Sequence, residues 1–194
     1  MNATFEVLLQ VTPGGLDLQW RVDNDEPHAI GLFNWIPAVA PDGTYRFSCN
    51  AAWVEIAGDG LLVVSKSALP IPPRLGMAAY VPPLCTRVAS GASYEETVHL
   101  QIPVLEMQPF KRATLIGPTP GEVVADLPAS VSKVSFGIGV FPIIEGLQLV
   151  SDHPAFPEVL TAWPGAASKQ VVFAREFTLA KPLDVHGYRV APWP

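Results

Sequence analysis

The side chains that most often carry chemistry in proteins are few in this chain, and their spacing fits no metal site. A cupin or a zinc protease needs an H-x-H or H-x-x-x-H pair, so that two imidazoles reach one ion. A cupredoxin needs a histidine and a methionine shortly after its cysteine, and neither follows Cys85 within ten residues. The four histidines lie far apart, at His28, His99, His153 and His186. We therefore expect no metal and no cofactor.

Nucleophilic catalysis also lacks its usual pattern. The segment GASYE around Ser93 fails the G-x-S-x-G motif at its last position, and no strand-turn-helix context follows it. Cys85 has no identifiable base beside it. Glu95 and Glu96 are neighbours on a predicted strand, so their carboxylates point to opposite faces and cannot act as a pair. The sequence therefore predicts a protein that is not an enzyme.

Aromatic side chains are the best candidates for a binding surface. Trp20 lies on the apolar face of a predicted strand and is expected in the core. Trp35 lies near the end of its strand and Trp53 close to a turn, where an exposed ring would be accessible. Such rings could stack on a carbohydrate or anchor a protein partner. The predicted binding surface consists of Trp35, Trp53, Met77, Tyr80 and Trp163.

The most unusual property of the composition is its low charge. Charged residues make up 15% of the chain, against about 25% in a typical soluble domain. The net charge is −6 and Lys111-Arg112 is the only adjacent basic pair, so no basic stripe is available for nucleic-acid phosphates or an anionic membrane surface. Either neutral polar residues make up much of the surface, or another subunit or partner covers part of it. We expect neither nucleic acid nor membrane as a partner.

The N-terminal residues predict a cytoplasmic protein if Met1 is the natural start. They contain no basic stretch, and Glu6 and Gln10 interrupt the apolar positions, which argues against a signal peptide. No segment approaches the roughly 18 uninterrupted apolar residues of a membrane-spanning helix. Cys49 and Cys85 match no redox spacing and are expected to be buried thiols. A disulfide between them stays open.

Alternation of apolar and polar residues with a period of two dominates the chain and predicts strands. No window of a dozen residues has the i, i+3, i+4, i+7 pattern of an amphipathic helix. Pro13-Gly14-Gly15 and Gly58-Asp59-Gly60 provide hairpin turns. The predicted strands cover residues 5–11, 16–22, 29–36, 44–49, 53–56, 61–65, about 94–102, 134–140, 147–150 and 171–179. The pattern predicts an all-β protein, an antiparallel β-sandwich.

Two proline-rich stretches interrupt the strands. Residues 69–84, LPIPPRLGMAAYVPPL, are apolar rather than Gly/Ser-rich, so they are unlike a flexible linker. They predict an ordered crossover that caps sheet edges, although the P-x-x-P spacing could also bind an aromatic groove as polyproline II. Residues 103–130 are a second predicted loop. Both loops are placed inside one domain over residues 1–194.

The succession of turns resembles that of a known class of sandwich. A PGG turn, a strand, the turn DNDEP at residues 23–27, an apolar strand and a PDG turn follow one another. This pattern is similar to immunoglobulin-like and fibronectin-III-like sandwiches and implies their two-sheet fold. The cysteine-tryptophan-cysteine spacing of true immunoglobulin domains is missing, because Trp53 follows Cys49 too closely.

These observations favour a non-catalytic β-sandwich that acts as a protein-binding or assembly module and associates with itself as a homo-oligomer. Two alternatives belong to other classes. One is a small-ligand or carbohydrate-binding domain that uses Trp35, Trp53 or Tyr80. The other is a hydrolase with a site assembled in space, for instance around His153 or His186.

Overall fold

The computed structural model describes residues 1–39, 45–70, 81–108, 123–145, 147, 149–150, 159–161 and 165–190. Over these ranges the chain is all-β, as predicted. The helical segments of the described residues are two single turns of 3-10 helix, Gly58–Gly60 and Ala167–Lys169. Neither is long and apolar enough to cross a bilayer.

Within the described residues, the strands form two sheets. The first has three antiparallel strands in the order β1-β2-β8. These are β1 (Ala3–Thr12), β2 (Gly15–Asn24) and β8 (Ser93–Gln101). The second sheet has nine strands. These are β3 (Ile30–Val39), β4 (Tyr45–Ser48), β5 (Trp53–Ala57), β6 (Leu61–Lys66), β7 (Leu84–Val88), β9 (Val104–Leu105), β10 (Val123–Pro142), β11 (Val159–Leu160) and β12 (Val171–Val190).

The six strands predicted in the first part of the chain are confirmed, and so are the turns that join two of the pairs. Pro13 and Gly14 connect β1 to β2, with Thr12 opposite Gly15. Asp59 and Gly60 have positive φ angles of 59° and 69°, which is the conformation that an Asp-Gly hairpin turn requires. β5 and β6 pair in antiparallel fashion on either side of this turn.

The centre of the larger sheet is β10, and its start was not predicted. Residues 123–130, expected to be loop, belong to this strand and pair with the end of β12. The strand was not predicted because Pro128 cannot donate a hydrogen bond to a neighbouring strand. In the structure Pro128 lies just beyond a register shift between Ala125 and Leu127, a place where a strand tolerates proline. β9 and β7 were also missed.

The expectation of purely antiparallel pairing is wrong. β10 pairs in parallel with β6 along one side and antiparallel with β12 along the other. The two-residue strand β9 also runs parallel to β12. Of the predicted strand at 147–150 the structure describes residues 147, 149 and 150, and among these Val150 forms an isolated bridge to Thr161. The crossover predicted at 69–84 lies mostly outside the described residues, which omit 71–80.

The main core lies between the two sheets. Trp20 of β2 and Phe5 of β1 both contact the ring of Phe136 in β10, with centroids 6.2 Å and 6.3 Å away. Trp20 is only 1% exposed, as its strand position predicted. The inward residues of β2, β6 and β10 follow the period of two and are fully buried. The face-to-face packing of the two sheets places the residues of the candidate site.

Candidate functional site

The most unusual feature of the core is a polar cluster beside its aromatic rings. Lys66 continues the inward alternation of β6 after Leu62 and Val64, and its side chain is fully buried. Asn34 is also fully buried; it lies in β3 within a register shift between Leu32 and Trp35. Such bulges redirect side chains. We call Lys66, Asn34, Glu96 and Tyr94 the interior polar cluster.

The lysine amine is held by three acceptors. Its Nζ donates to the main-chain oxygen of Asn34 at 3.0 Å, to the main-chain oxygen of Cys49 and to Oε1 of Glu96. The Nζ also lies 5.9 Å from the centroid of the Trp20 ring, within range of a cation–π interaction. The amine is therefore removed from solvent but is not left without hydrogen-bond acceptors.

One carboxylate links the amine to the amide. Oε2 of Glu96 accepts from Nδ2 of Asn34 at 3.1 Å and from the hydroxyl of Tyr94 at 2.9 Å. Nδ2 of Asn34 donates also to the Tyr94 hydroxyl oxygen, at 2.9 Å. Glu96 and Tyr94 belong to β8 in the smaller sheet, while Lys66 and Asn34 belong to the larger one. The cluster therefore joins the two layers of the fold.

Two buried polar atoms in this region have no hydrogen-bond partner among the described residues. They are Oδ1 of Asn34 and Nε1 of Trp20. An unsatisfied buried polar atom costs free energy and calls for an explanation. The Asn34 oxygen is the more informative of the two, because the nitrogen of the same amide is bonded to Glu96.

Burial shifts the proton affinities of two members of the cluster. Desolvation lowers the pKa of Lys66, and the nearby charge of Glu96 opposes this change. Burial also raises the pKa of Tyr94, and the Glu96 carboxylate adds to that shift. Lys66 therefore releases its proton more readily than a solvated lysine, while Tyr94 stays protonated.

The outer face of the smaller sheet carries a different set of polar residues. Glu6, Arg21 and Glu95 stand side by side on its three strands, next to a shallow depression of about 250 Å³. Arg21 lies 2.8 Å from Asp23, and its hydrogen bond lowers the pKa of that carboxyl group. Arg21 is the one basic side chain beside Glu6, Asp23 and Glu95, so this part of the face is polar and more acidic than basic.

The outer edge of the same sheet is apolar. Among the described residues, β1 pairs with β2 alone. Its residues Leu8 and Val11 are 62% and 51% exposed, and Glu6 is its one charged side chain. Natural edge strands are usually protected by charge, proline or bulges, and β1 shows little of this protection.

Two residues of the predicted aromatic surface, Trp35 and Trp53, belong to the described part of the chain. Trp35 is half-buried and its Nε1 donates to the Thr86 hydroxyl at 3.3 Å. Trp53 is 5% exposed and donates to the main-chain oxygen of Ser67 at 3.0 Å, so the expectation of an accessible ring at this position is wrong: the ring fills a small core with Ile36. Met77, Tyr80 and Trp163 lie outside the described residues.

Both cysteines are free thiols. Cys85 is fully buried, as predicted, and its Sγ donates to the main-chain oxygen of Leu160 at 3.2 Å. Burial raises the pKa of Cys85 to about 12, which makes it a poor nucleophile. Cys49 is only half-buried.

The histidines are equally scattered in space over the described part of the chain. His99 pairs with Asp17 across the outer face, 2.5 Å from Nδ1 to Oδ1. His186 lies in β12, and His153 is outside the described residues. No group of three or more histidine, cysteine or acidic side chains in the described ranges could hold a metal ion.

Sequence reasoning missed the interior polar cluster. The available signal was Lys66 itself, because a charged residue at an inward position of an alternating strand is rarely buried without partners. The identity of those partners depends on which strands of the two sheets face each other, and spacing alone does not give this. Comparison with protein-family models, curated proteins and solved structures finds no match for this chain.

Proposed function

We propose that this protein is a non-catalytic assembly module that associates with a second copy of itself through the free edge of β1. The observation that supports this best is a ten-residue edge strand with one charge and an exposed Leu8. Unpaired backbone groups on such an edge form a template for another strand. The low charge content of the whole chain agrees with a surface that is covered by a partner.

Hairpin geometry identifies the backbone groups that are available. A two-residue turn closes on a hydrogen-bonded pair, here Thr12 and Gly15. Counting back from Val11, which precedes this pair, every second residue of β1 directs its N–H and C=O toward the free edge. These residues are Ala3, Phe5, Val7, Leu9 and Val11. They alternate with the residues whose groups bond to β2, so a second copy could pair along the full strand.

The side chains favour a two-fold axis at Leu8. In that antiparallel register Leu8 meets its own copy on the outer face, and Glu6 lies opposite Gln10. On the inner face, Phe5 lies opposite Val11 and extends the core across the junction. A two-fold axis at Glu6 would place two carboxylates against each other, which costs stability. The sequence of β1 therefore favours one self-complementary register.

Light scattering after size-exclusion chromatography, across a dilution series, tests the proposal with two matched variants. Leu8→Lys places a charge on the proposed axis and is expected to shift the protein to monomer. Leu105→Lys is the control, because Leu105 in β9 has the same 62% exposure and does not belong to β1. The control should keep the wild-type mass at each concentration.

A wild-type protein that stays monomeric at every concentration would refute self-association. A Leu8→Lys variant that associates like the wild type would refute the β1 route. Equal loss of association in both variants would show a general effect of added charge and would also contradict the assignment to β1.

We propose further that the two sheets form a sandwich of the immunoglobulin or fibronectin-III kind. Its support is a three-stranded antiparallel sheet packed on a larger sheet, together with the turn pattern of the first 66 residues. The parallel pairing of β6 with β10 departs from the simplest form of that pattern.

A further inference from the structure

The interior polar cluster combines the three groups that an amide-forming reaction requires. Lys66 supplies a buried amine, Asn34 a buried carboxamide, and Glu96 a carboxylate bonded to both nitrogens. Water, the usual competitor for an acyl group, is excluded because Lys66 and Asn34 have no exposed surface. The arrangement therefore brings an amine, an acyl donor and a proton carrier together inside a dry core.

We propose that Lys66 and Asn34 become joined by an intramolecular isopeptide bond, with Glu96 transferring the protons. The chain is both catalyst and substrate and reacts once, so the proposal goes beyond the assembly role and does not depend on it. The bond would connect β6 to β3 within the larger sheet.

The reaction balances with the groups already present. The Lys66 ammonium gives a proton to Oε1 of Glu96, and the neutral amine attacks Cγ of Asn34. The Nζ–Cγ bond forms, and the negative charge of the tetrahedral intermediate rests on Oδ1. Glu96 then delivers its proton to Nδ2 and takes one from the attacking nitrogen. The Cγ–Nδ2 bond breaks, ammonia leaves, and no oxidant or cofactor is consumed.

The surroundings favour the proton transfers in this sequence. Desolvation lowers the pKa of Lys66, which eases loss of its proton. Transfer of that proton to Glu96 converts a buried ion pair into two neutral groups, and a dry environment favours the neutral forms. Oε2 of Glu96 already lies 3.1 Å from the nitrogen that must leave. For the attack, Nζ must move from the main-chain oxygen of Asn34 to the side-chain carbonyl carbon of the same residue.

Intact-mass spectrometry of the denatured chain provides the test. The mass of the wild type should be lower than the mass calculated from its sequence by one ammonia molecule. A tryptic digest should contain a branched peptide that joins the segments carrying Asn34 and Lys66, with no cleavage after Lys66. Glu96→Gln, which removes the proton carrier, should have the full mass of its sequence and give only linear peptides.

Glu106→Gln is the matched control, because Glu106 is another carboxylate that is only 1% exposed, and it should keep the loss of ammonia. The wild-type digest needs no variant to fold, so it decides the proposal by itself. A full-mass wild type would overturn the proposal. Loss of ammonia confined to a linear peptide would also overturn it, since a cyclised asparagine gives that result. Loss of water with a branch at Glu96 would overturn the choice of Asn34.

Discussion

At the scale of single residues, the pairing of Lys66 with Glu96 determines how the core tolerates charge. Removing one partner of a buried ion pair costs about 3–5 kcal/mol, because the other charge is left without compensation. Lys66→Met should therefore lower the free energy of unfolding by about 3–5 kcal/mol. The reference for this urea titration is wild-type protein that keeps the full mass calculated from its sequence, and so has no bond between Lys66 and Asn34.

Neutralising the remaining charge should recover part of this loss. In the double variant Lys66→Met with Glu96→Gln, the amide oxygen can still accept from Asn34 and Tyr94. We expect the double variant to be more stable than Lys66→Met alone. If the double variant instead loses as much stability as Lys66→Met and Glu96→Gln lose together, the charge of Glu96 is not the cause of the destabilisation.

A second prediction at this scale concerns alkaline pH. The folded protein holds the proton of Cys85 up to about pH 12, against an ordinary value of 9.0. Above the ordinary value the unfolded chain releases this proton while the folded chain keeps it. Cys85 should therefore cause no loss of stability below about pH 9. Above that pH it should lower the free energy of unfolding, with a slope of up to about 1.4 kcal/mol per pH unit.

Urea titrations between about pH 8 and pH 9.5 measure this slope where Tyr94 contributes little, since tyrosine in an unfolded chain ionises near pH 10. The lowered pKa of Lys66 acts in the opposite direction, so the contribution of Cys85 is the difference in slope between the wild type and Cys85→Ala. Cys85→Ala should flatten the decline, whatever its effect on overall stability. Cys49→Ala should leave the decline unchanged. A wild-type slope that persists in Cys85→Ala would contradict this account.

At the scale of elements, the junction of β3 with β10 depends on a glycine. Gly31 lies directly opposite Phe141, and a Cβ atom at this position would lie 2.1 Å from Cζ of that ring. Gly31→Ala therefore forces the buried ring to move. Overpacking of this kind costs about 1–3 kcal/mol, which calorimetry or a urea titration would detect.

The matched control for that substitution is Gly58→Ala. No atom lies within 4 Å of a Cβ built at this glycine, so its midpoint of unfolding should be close to that of the wild type. If Gly31→Ala is equally harmless, β3 must be able to shift against β10 more easily than the packing indicates.

Strands with regular alternation could be predicted because each carries its own signal. β2 alternates throughout and β1 alternates except at Leu8, while β5 and β6 are short apolar runs on either side of an Asp-Gly turn. β10 begins with a segment in which Pro128 interrupts the pattern, and β9 has only two residues. Both of these segments pair with β12, so their support comes from residues distant in the chain.

At the scale of the whole molecule, the pattern of apolar and polar residues predicted the fold class but not the candidate site. The period of two and the absence of helical patterns are properties of the entire chain, and they were sufficient to predict an all-β protein. The interior polar cluster depends on β8 facing β3 and β6 across the core. Residues 34, 66 and 96 approach one another only after both sheets form, so no local pattern reveals the partners of Lys66.

The position of β10 in the chain has a consequence for synthesis on the ribosome. The smaller sheet has all its strands once Gln101 has emerged, whereas β6 must wait for residues 133–138 of β10 to receive its parallel neighbour. At about 5–20 residues per second, that wait after β6 lasts on the order of ten seconds. During this interval β6 is without its main partner. A growing polysome would therefore bring such half-finished chains close together, and molecular chaperones would have their best opportunity to act before β10 arrives.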